Sequence, residues 1–402
     1  MPRRALVLPA AALLAMTPAP RADTALELAR PSPVDQYLDA IERSYDLGGA
    51  WAPELGDLYL GLGRALLERG RPEEALDALQ EAVQNVRVNR GLDSPEQTEH
   101  LFTIADIQDG LGRPDEADEV IETAWRLAAD AYAGGDMAAL ETLERSLRWF
   151  VGRRQPLSPR ARYADMEHYG ELTERLATLS EEGLGLSHPL TEKHYRALGQ
   201  VHFHTTRYVL GRGMSVEPGL VLATGGRQTT TNDTVSVNEH YQAGKKAFAK
   251  AAESAMLRGD ATPLERAEAL ALLGDWYLAF DHYGSAGKQY REAWDLLAEA
   301  PELRPEDHLG RPTPIRVMDG AVFAPEDEAP AAETVTVSLN ISRSGRVRQV
   351  EFLATPEGLD EERRKDLRDR IERIRFRPAL VAGEPEHVQG FVWDYEVPPT
   401  DA

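Results

Sequence analysis

"GLGRALLERGRPEEALDALQEAV", residues 61–83, sets out an apolar helix, a Gly-Arg-Pro turn and a second helix. "TIADIQDGLGRPDEADEVIETAW", residues 103–125, repeats the layout, with Ala75 and Ala82 answered 42 residues later by Ala117 and Ala124. Gly70 and Gly112 supply the turn. Pro72 and Pro114 suit a first helical position, where a missing N–H costs little. "ALLGDWYLAFDHYGSAGKQYREAW", residues 271–294, is a third copy, with Gly274, Tyr277, Ala286, Tyr290 and Ala293 in register. Small residues at fixed places let two antiparallel helices approach closely, while large ones fill the groove against the next pair. The pattern predicts an α-helical solenoid over most of the chain, residues 23–315.

These spacings resemble the tetratricopeptide (TPR) repeat. The match runs through Leu62, Gly63, Leu66, Gly70, Ala75, Leu79 and Ala82, and departs from it at Ala105 and Gln108, where the family has Gly and an aromatic. The residues in excess of the ~34 of a standard repeat fall in "NRGLDSPEQ", as in the longer repeats of kinesin light-chain type. Within that connector Ser94 is expected to cap, Pro95 to open a helix and Gln97 to close a capping box. "GLSHPLTEKH" at Gly185 echoes the connector, so residues 131–210 are expected to hold further, degenerate helix pairs. A repeat array presents an extended concave surface rather than an active site. The resemblance implies an inner wall built from the first helix of each pair. Here that means Leu60, Arg64 and Leu67, then Phe102, Asp106 and Asp109, then Asp275 and Leu278.

After an acidic Pro/Ala linker (316–333) the period changes. "TVTVSLNISR" alternates, with Val335, Val337, Leu339 and Ile341 on one face, and reads as a half-buried strand. In "RVRQVEFLA" the apolar spacing slips near Arg348-Gln349, which predicts a bulge. "GLDEERRKDLRDRIERI" has one narrow stripe, Leu367, Ile371 and Ile374, suited to a helix laid on a sheet. A Gly383-Glu384-Pro385 turn leads to a last strand with Phe391, Trp393, Tyr395 and Val397 on one face. This small α+β (ββαβ) module, residues 334–398, resembles the TonB C-terminal domain. Gly345-Arg346-Val347, Arg375-Phe376-Arg377-Pro378-Ala379, Gly383 and the closing aromatic strand carry that likeness. It implies a grip in which an extended partner segment joins a sheet edge, with Gln389, Gly390, Val392 and Asp394 as the contacting residues. Family transducers also carry an inner-membrane helix and a long Pro-rich spacer, where this chain has the helical array.

Net charge is -22 over 402 residues, which argues against nucleic acid, a partner that calls for clustered Lys and Arg. The chain has no Cys, so disulfides, thiolate ligands and a Cys nucleophile are excluded. Arg3 and Arg4 followed by an apolar run to Met16 have the layout of a secretory signal peptide, residues 1–22. The run is too short for the ~20 residues that span a bilayer.

Histidines gather at His188, His194, His202 and His204. His202 and His204 stand ~200° apart on a helix and cannot share a metal. Asp106 and Asp109 share a helical face, an arrangement open in principle to acid–base work but one that chance supplies in so acidic a chain. The Gly-rich stretch 211–234 lacks the Gly-Lys-Ser/Thr that closes a P-loop. No catalytic residue, metal or cofactor is assigned. The sequence points to a periplasmic interaction scaffold for a protein or peptide of the cell envelope or outer membrane, with no membrane span in the mature chain. A divergent TonB-type energy transducer is the alternative, and an enzyme using the 211–234 loop a remote one.

Overall fold

The computed structural model describes residues 32–133, 135–152, 159–211, 237–315, 333–355 and 360–397. The expected leader, the Gly-rich stretch beyond Gly211 and the acidic linker lie outside these residues. The chain divides into two compact units, the first ending at Thr123 and the second beginning at Ala124.

In the first unit α1 (Pro33–Gly48) precedes α2 (Leu55–Glu68), α3 (Pro72–Arg90) and α4 (Thr98–Gly110), and α5 (Pro114–Ala133) begins there. Ser32 and Asp35 close a reciprocal capping box at the start of α1. Gly63 explains the close crossing of α2 and α3, because a Cβ there would lie 2.8 Å from Leu79 Cγ. Gly70 and Gly112 both adopt positive φ, 70° and 75°, in the inter-helix turns. Ala75, Leu79 and Ala82 are fully buried.

The connector differs from expectation in one detail. Ser94 Oγ accepts from the Glu96 N–H, but the Gln97 amide turns inward and donates to the carbonyls of Leu92 (2.7 Å) and Ser94 (3.1 Å). Gln97 is itself fully buried, so its amide takes up these carbonyls instead of the capping N–H.

The second unit continues with α6 (Ala139–Gly152), α7 (Pro159–Leu184), α8 (Pro189–Gly211), α9 (Val237–Leu257), α10 (Pro263–Ala279), α11 (Tyr283–Glu299) and α12 (Pro305–Leu309). The close-packing device recurs at α10–α11, where a Cβ on Gly274 would lie 2.5 Å from Tyr290 Cε1. An aromatic core of Phe203, Tyr241, Phe248, Trp276, Phe280 and Tyr290 holds α8 to α11 together.

The chain then forms β1 (Thr313–Pro314), β2 (Glu333–Ile341), β3 (Val347–Ala354), α13 (Glu361–Glu372), β4 (Phe376–Arg377), β5 (Leu380–Val381), β6 (Glu384–Pro385) and β7 (Val388–Val397). β2 is the centre of an antiparallel sheet in the order β3-β2-β7. Its inward residues Val335, Val337, Leu339 and Ile341 are fully buried, under Leu367 and Ile371 of α13. The β2–β3 register slips at Arg348, since Asn340 faces Gln349 and Ile341 faces Val347. This is the bulge that the apolar spacing predicts.

Candidate functional site

The module is fastened to the last helix pair by Arg346, Arg375 and Arg377. Arg377, at the end of β4, makes a two-pronged ion pair with Asp275 of α10, Nε to Oδ1 at 2.9 Å and Nη2 to Oδ2 at 2.5 Å. Tyr290 of α11 donates its hydroxyl to the same Oδ1 at 2.8 Å, and its ring lies beneath the guanidinium. Burial works against the Arg377 charge, but Asp275 more than offsets it and raises the guanidinium pKa. Burial, reinforced by the Asp275 charge, pushes the Tyr290 phenol well above its ordinary value.

A second contact forms around Asp281, in the turn between α10 and α11. Arg375 donates to its carboxylate at 2.8 Å and Arg346 at 3.2 Å, while Tyr283 supplies a hydroxyl. Burial opposes ionisation of Asp281, and the hydroxyl and the two arginines prevail, holding its carboxyl below the usual range. Asp281 has φ 60° and occupies the turn position that Gly70 and Gly112 fill in the earlier copies. An Asp tolerates this conformation better than most side chains, and here it adds a carboxylate where the other turns carry none. β1 pairs with β4, and Ile315 and Leu380 enter the helical core. The module is therefore docked as a cap on the last helix pair.

This docking corrects part of the expected inner wall. Asp275 and Leu278 are each 2 % exposed, because the chain's own module covers them. Phe102 is likewise 2 % exposed. Leu60 is half-buried, Leu67 is exposed, and Asp106 and Asp109 face solvent. Arg64 is exposed and ion-paired with Glu99 at 2.7 Å. The docking signal in the sequence is the Asp at position 281 in a turn that otherwise takes Gly.

At the sheet, β7 is an edge strand, and among the described residues its ladder partner is β2. The four expected contact residues divide into two pairs. Ile341 faces Val388 and Leu339 faces Phe391, so Gln389 and Gly390 bulge opposite Asn340. Gly390 has φ 68° and donates its N–H to Asn340 Oδ1 at 3.0 Å. A bulge twists an edge away from pairing, so these two residues belong to the blunted end. Val392 and Asp394 lie in regular ladder opposite Ser338 and Thr336, both exposed. On the other face Phe391, Trp393 and Tyr395 are only half-buried, because α13 lies over β3. Trp393 meets Phe376 edge-on at 5.2 Å and Tyr395 at 5.5 Å, a row of rings beside the free edge.

The histidines hold two buried arrangements. His194 Nδ1 lies 2.7 Å from Ser180 Oγ, and its Nε2 lies 3.3 Å from Glu144 Oε1. The geometry is that of a nucleophile triad, yet Ser180 and His194 are fully buried and the serine hydroxyl donates to the Leu176 carbonyl. The His194 hydrogen bond, with help from Lys193, takes the Glu144 carboxyl down to about 2 against the opposing effect of burial. This buried group ties α6, α7 and α8 together.

His202 of α8 and His240 of α9 bring their Nδ1 atoms to 3.3 Å. Tyr163 and Glu167 of α7 approach His240 Nε2 at 3.2 and 3.3 Å. Burial, then the neighbouring His240, lowers His202 to about 4. Among the described residues no group of three or more His, Asp or Glu is placed to hold a metal ion. Among them, too, no helix is long and apolar enough to cross a membrane.

Residues 54–124 match the tetratricopeptide repeat family model. Solved structures similar to this chain include a Podosopora anserina protein of kinesin light chain type with nearly identical TPR-like repeats. It is 13% identical, over 61% of this chain and 97% of that one, at a TM-score of 0.33. BtubC from P. vanneervenii is 14% identical, over 68% of this chain and 92% of that one, also at 0.33. No curated protein matches the chain. What is in hand is a tetratricopeptide segment at residues 54–124, a largely helical chain around it, and a small strand-containing cap at its end.

Proposed function

We propose that this protein is a non-catalytic scaffold that holds an extended protein segment along β7. The observation that carries the reading is the free side of Phe391–Val397, flanked by the half-buried row of Phe391, Trp393 and Tyr395. A strand added there gains main-chain hydrogen bonds along its length, and its alternate side chains meet the rings. TPR proteins act as protein-interaction scaffolds, and docking on the last helix pair gives this edge a rigid mount. The likeness of the module to the TonB C-terminal domain supports the same mode of grip. The signal-like first 22 residues support a periplasmic location and a partner in the cell envelope. Transduction of energy to an outer-membrane receptor is the second reading, favoured by the Arg375-Phe376-Arg377-Pro378 motif alone.

The absence of Cys makes the test specific. A single Val392→Cys carries a photo-crosslinker on the edge, and Glu361→Cys on α13 serves as the control. We expect envelope proteins to crosslink at position 392 and not at 361, with slowed amide exchange across Phe391–Val397 in the complex. A partner whose binding leaves those amides exchanging as in the free protein sinks the reading.

A further inference from the structure

A groove at the N-terminal end of the first unit is distinct from the β7 edge and from the inner wall. It has a volume of about 430 Å³, and Leu38, Tyr59, Leu62 and Leu66 line its apolar part. Leu62 and Leu66 are buried, while Leu38 of α1 remains 49% exposed at its mouth. On α2 these residues point elsewhere than the wall positions Leu60, Arg64 and Leu67. At 100° per residue, from 3.6 residues per turn, the two sets are centred about 130° apart.

The rim is acidic. Glu74, Asp77 and Glu81 line it from α3 at i, i+3 and i+7, one face of that helix. Glu74 is paired with Arg71, but Asp77 and Glu81 make no ion pair among the described residues. Like charges four residues apart repel one another, and an incoming cation relieves that repulsion. The surroundings strengthen the field: residues 32–123 carry 21 Asp and Glu against 7 Arg and no Lys.

We propose that this groove docks a cationic amphipathic helix of a partner protein. The apolar face of the helix would enter against Leu38, Tyr59 and Leu66, with its Lys or Arg residues beside Asp77 and Glu81. A trough between helices fits the helix-in-groove mode of recognition. The span from Glu74 to Glu81 covers about 10 Å at 1.5 Å per residue, so cations at i, i+3 and i+7 of the ligand match the rim. Charge complementarity of this kind sets the choice of partner and the rate of association.

The probe is a synthetic 18-residue Lys/Leu amphipathic helix titrated into the full chain by fluorescence anisotropy. A peptide of the same composition with its amphipathic order scrambled is the control. We expect the ordered peptide to bind more tightly, and Asp77→Lys with Glu81→Lys to weaken it by ~10-fold or more. Glu116→Lys with Glu119→Lys makes the same change in net charge at exposed positions on α5 and is expected to leave binding unchanged. Leu38→Glu, also at an exposed position, is expected to weaken binding through the apolar face. The proposal is overturned if no ordered peptide binds, if ordered and scrambled peptides bind alike, or if both charge pairs weaken binding equally. Protection of β7 by its own partner is measured separately, so failure at the groove leaves the strand-addition reading standing.

Discussion

His202 and His240 share a contact that admits one proton. With their Nδ1 atoms 3.3 Å apart, one ring donates and the other accepts; two N–H groups facing each other repel. Glu167 and Tyr163 from α7 and Glu239 on α9 face His240, and their carboxylates favour a charge there, but burial outweighs them and its pKa is lowered. His202 Nε2 is buried without a partner, which leaves its ring neutral down to about pH 4.

The sign follows from linkage. A histidine depressed from 6.5 to about 4 on folding takes up its proton first in the unfolded chain. Its contribution to stability is complete above about pH 6.5 and is lost as the pH falls toward 4. At pH 5 the loss is about 2 kcal/mol. We expect the urea midpoint to fall more steeply between pH 7 and pH 5 in the natural protein than in His202→Phe. Equal slopes would show that the pair does not titrate this way. Nothing in the sequence announced the pair: His194, His202 and His204 of the cluster lie on one helix, and His240, the true neighbour, is 38 residues away from His202.

At the scale of elements, the helix pairs were legible because their packing rule is local. Gly63 under Leu79 and Gly274 under Tyr290 sit at equivalent places of two copies, and both crossings leave no room for a Cβ. Gly274→Ala therefore forces Tyr290, fully buried and bonded to Asp275, to move. Overpacking of this kind costs about 1–3 kcal/mol, and thermal unfolding monitored by circular dichroism measures it. Gly170→Ala is the contrast, since its Cβ would meet Val201 at an ordinary 3.5 Å; relief of glycine's conformational entropy should leave that variant at least as stable.

The sheet was legible for the same reason, from strict alternation in β2. The docking of the module was not. Asp275 and Arg377 are 102 residues apart, and each alone reads as an ordinary surface charge. The wall position at 275 carried the right periodicity for partner contact, but the ligand it meets is the chain's own β4. In β7 the alternation of aromatic residues was visible, whereas the bulge at Gln389–Gly390 depends on a bond from Gly390 to Asn340 across the strand pair.

For the whole molecule, the β1–β4 ladder has a topological consequence. The chain leaves the helices through β1, passes through residues 316–332, builds β2, β3 and α13, and returns as β4 to lie against β1. The covalent connection and the physical attachment of the cap are thus separate things. A protease site engineered between 316 and 332 would sever the first and spare the second. The two fragments should co-elute from a sizing column at neutral pH, as a split protein reassembled from its halves. Replacing Asp275 by Ala leaves Arg377 buried without its counter-ion, a loss of about 3–5 kcal/mol, and the nicked variant should come apart. Prompt separation of the unsubstituted fragments would mean that the peptide bond, and not the interface, keeps the end of this molecule in place.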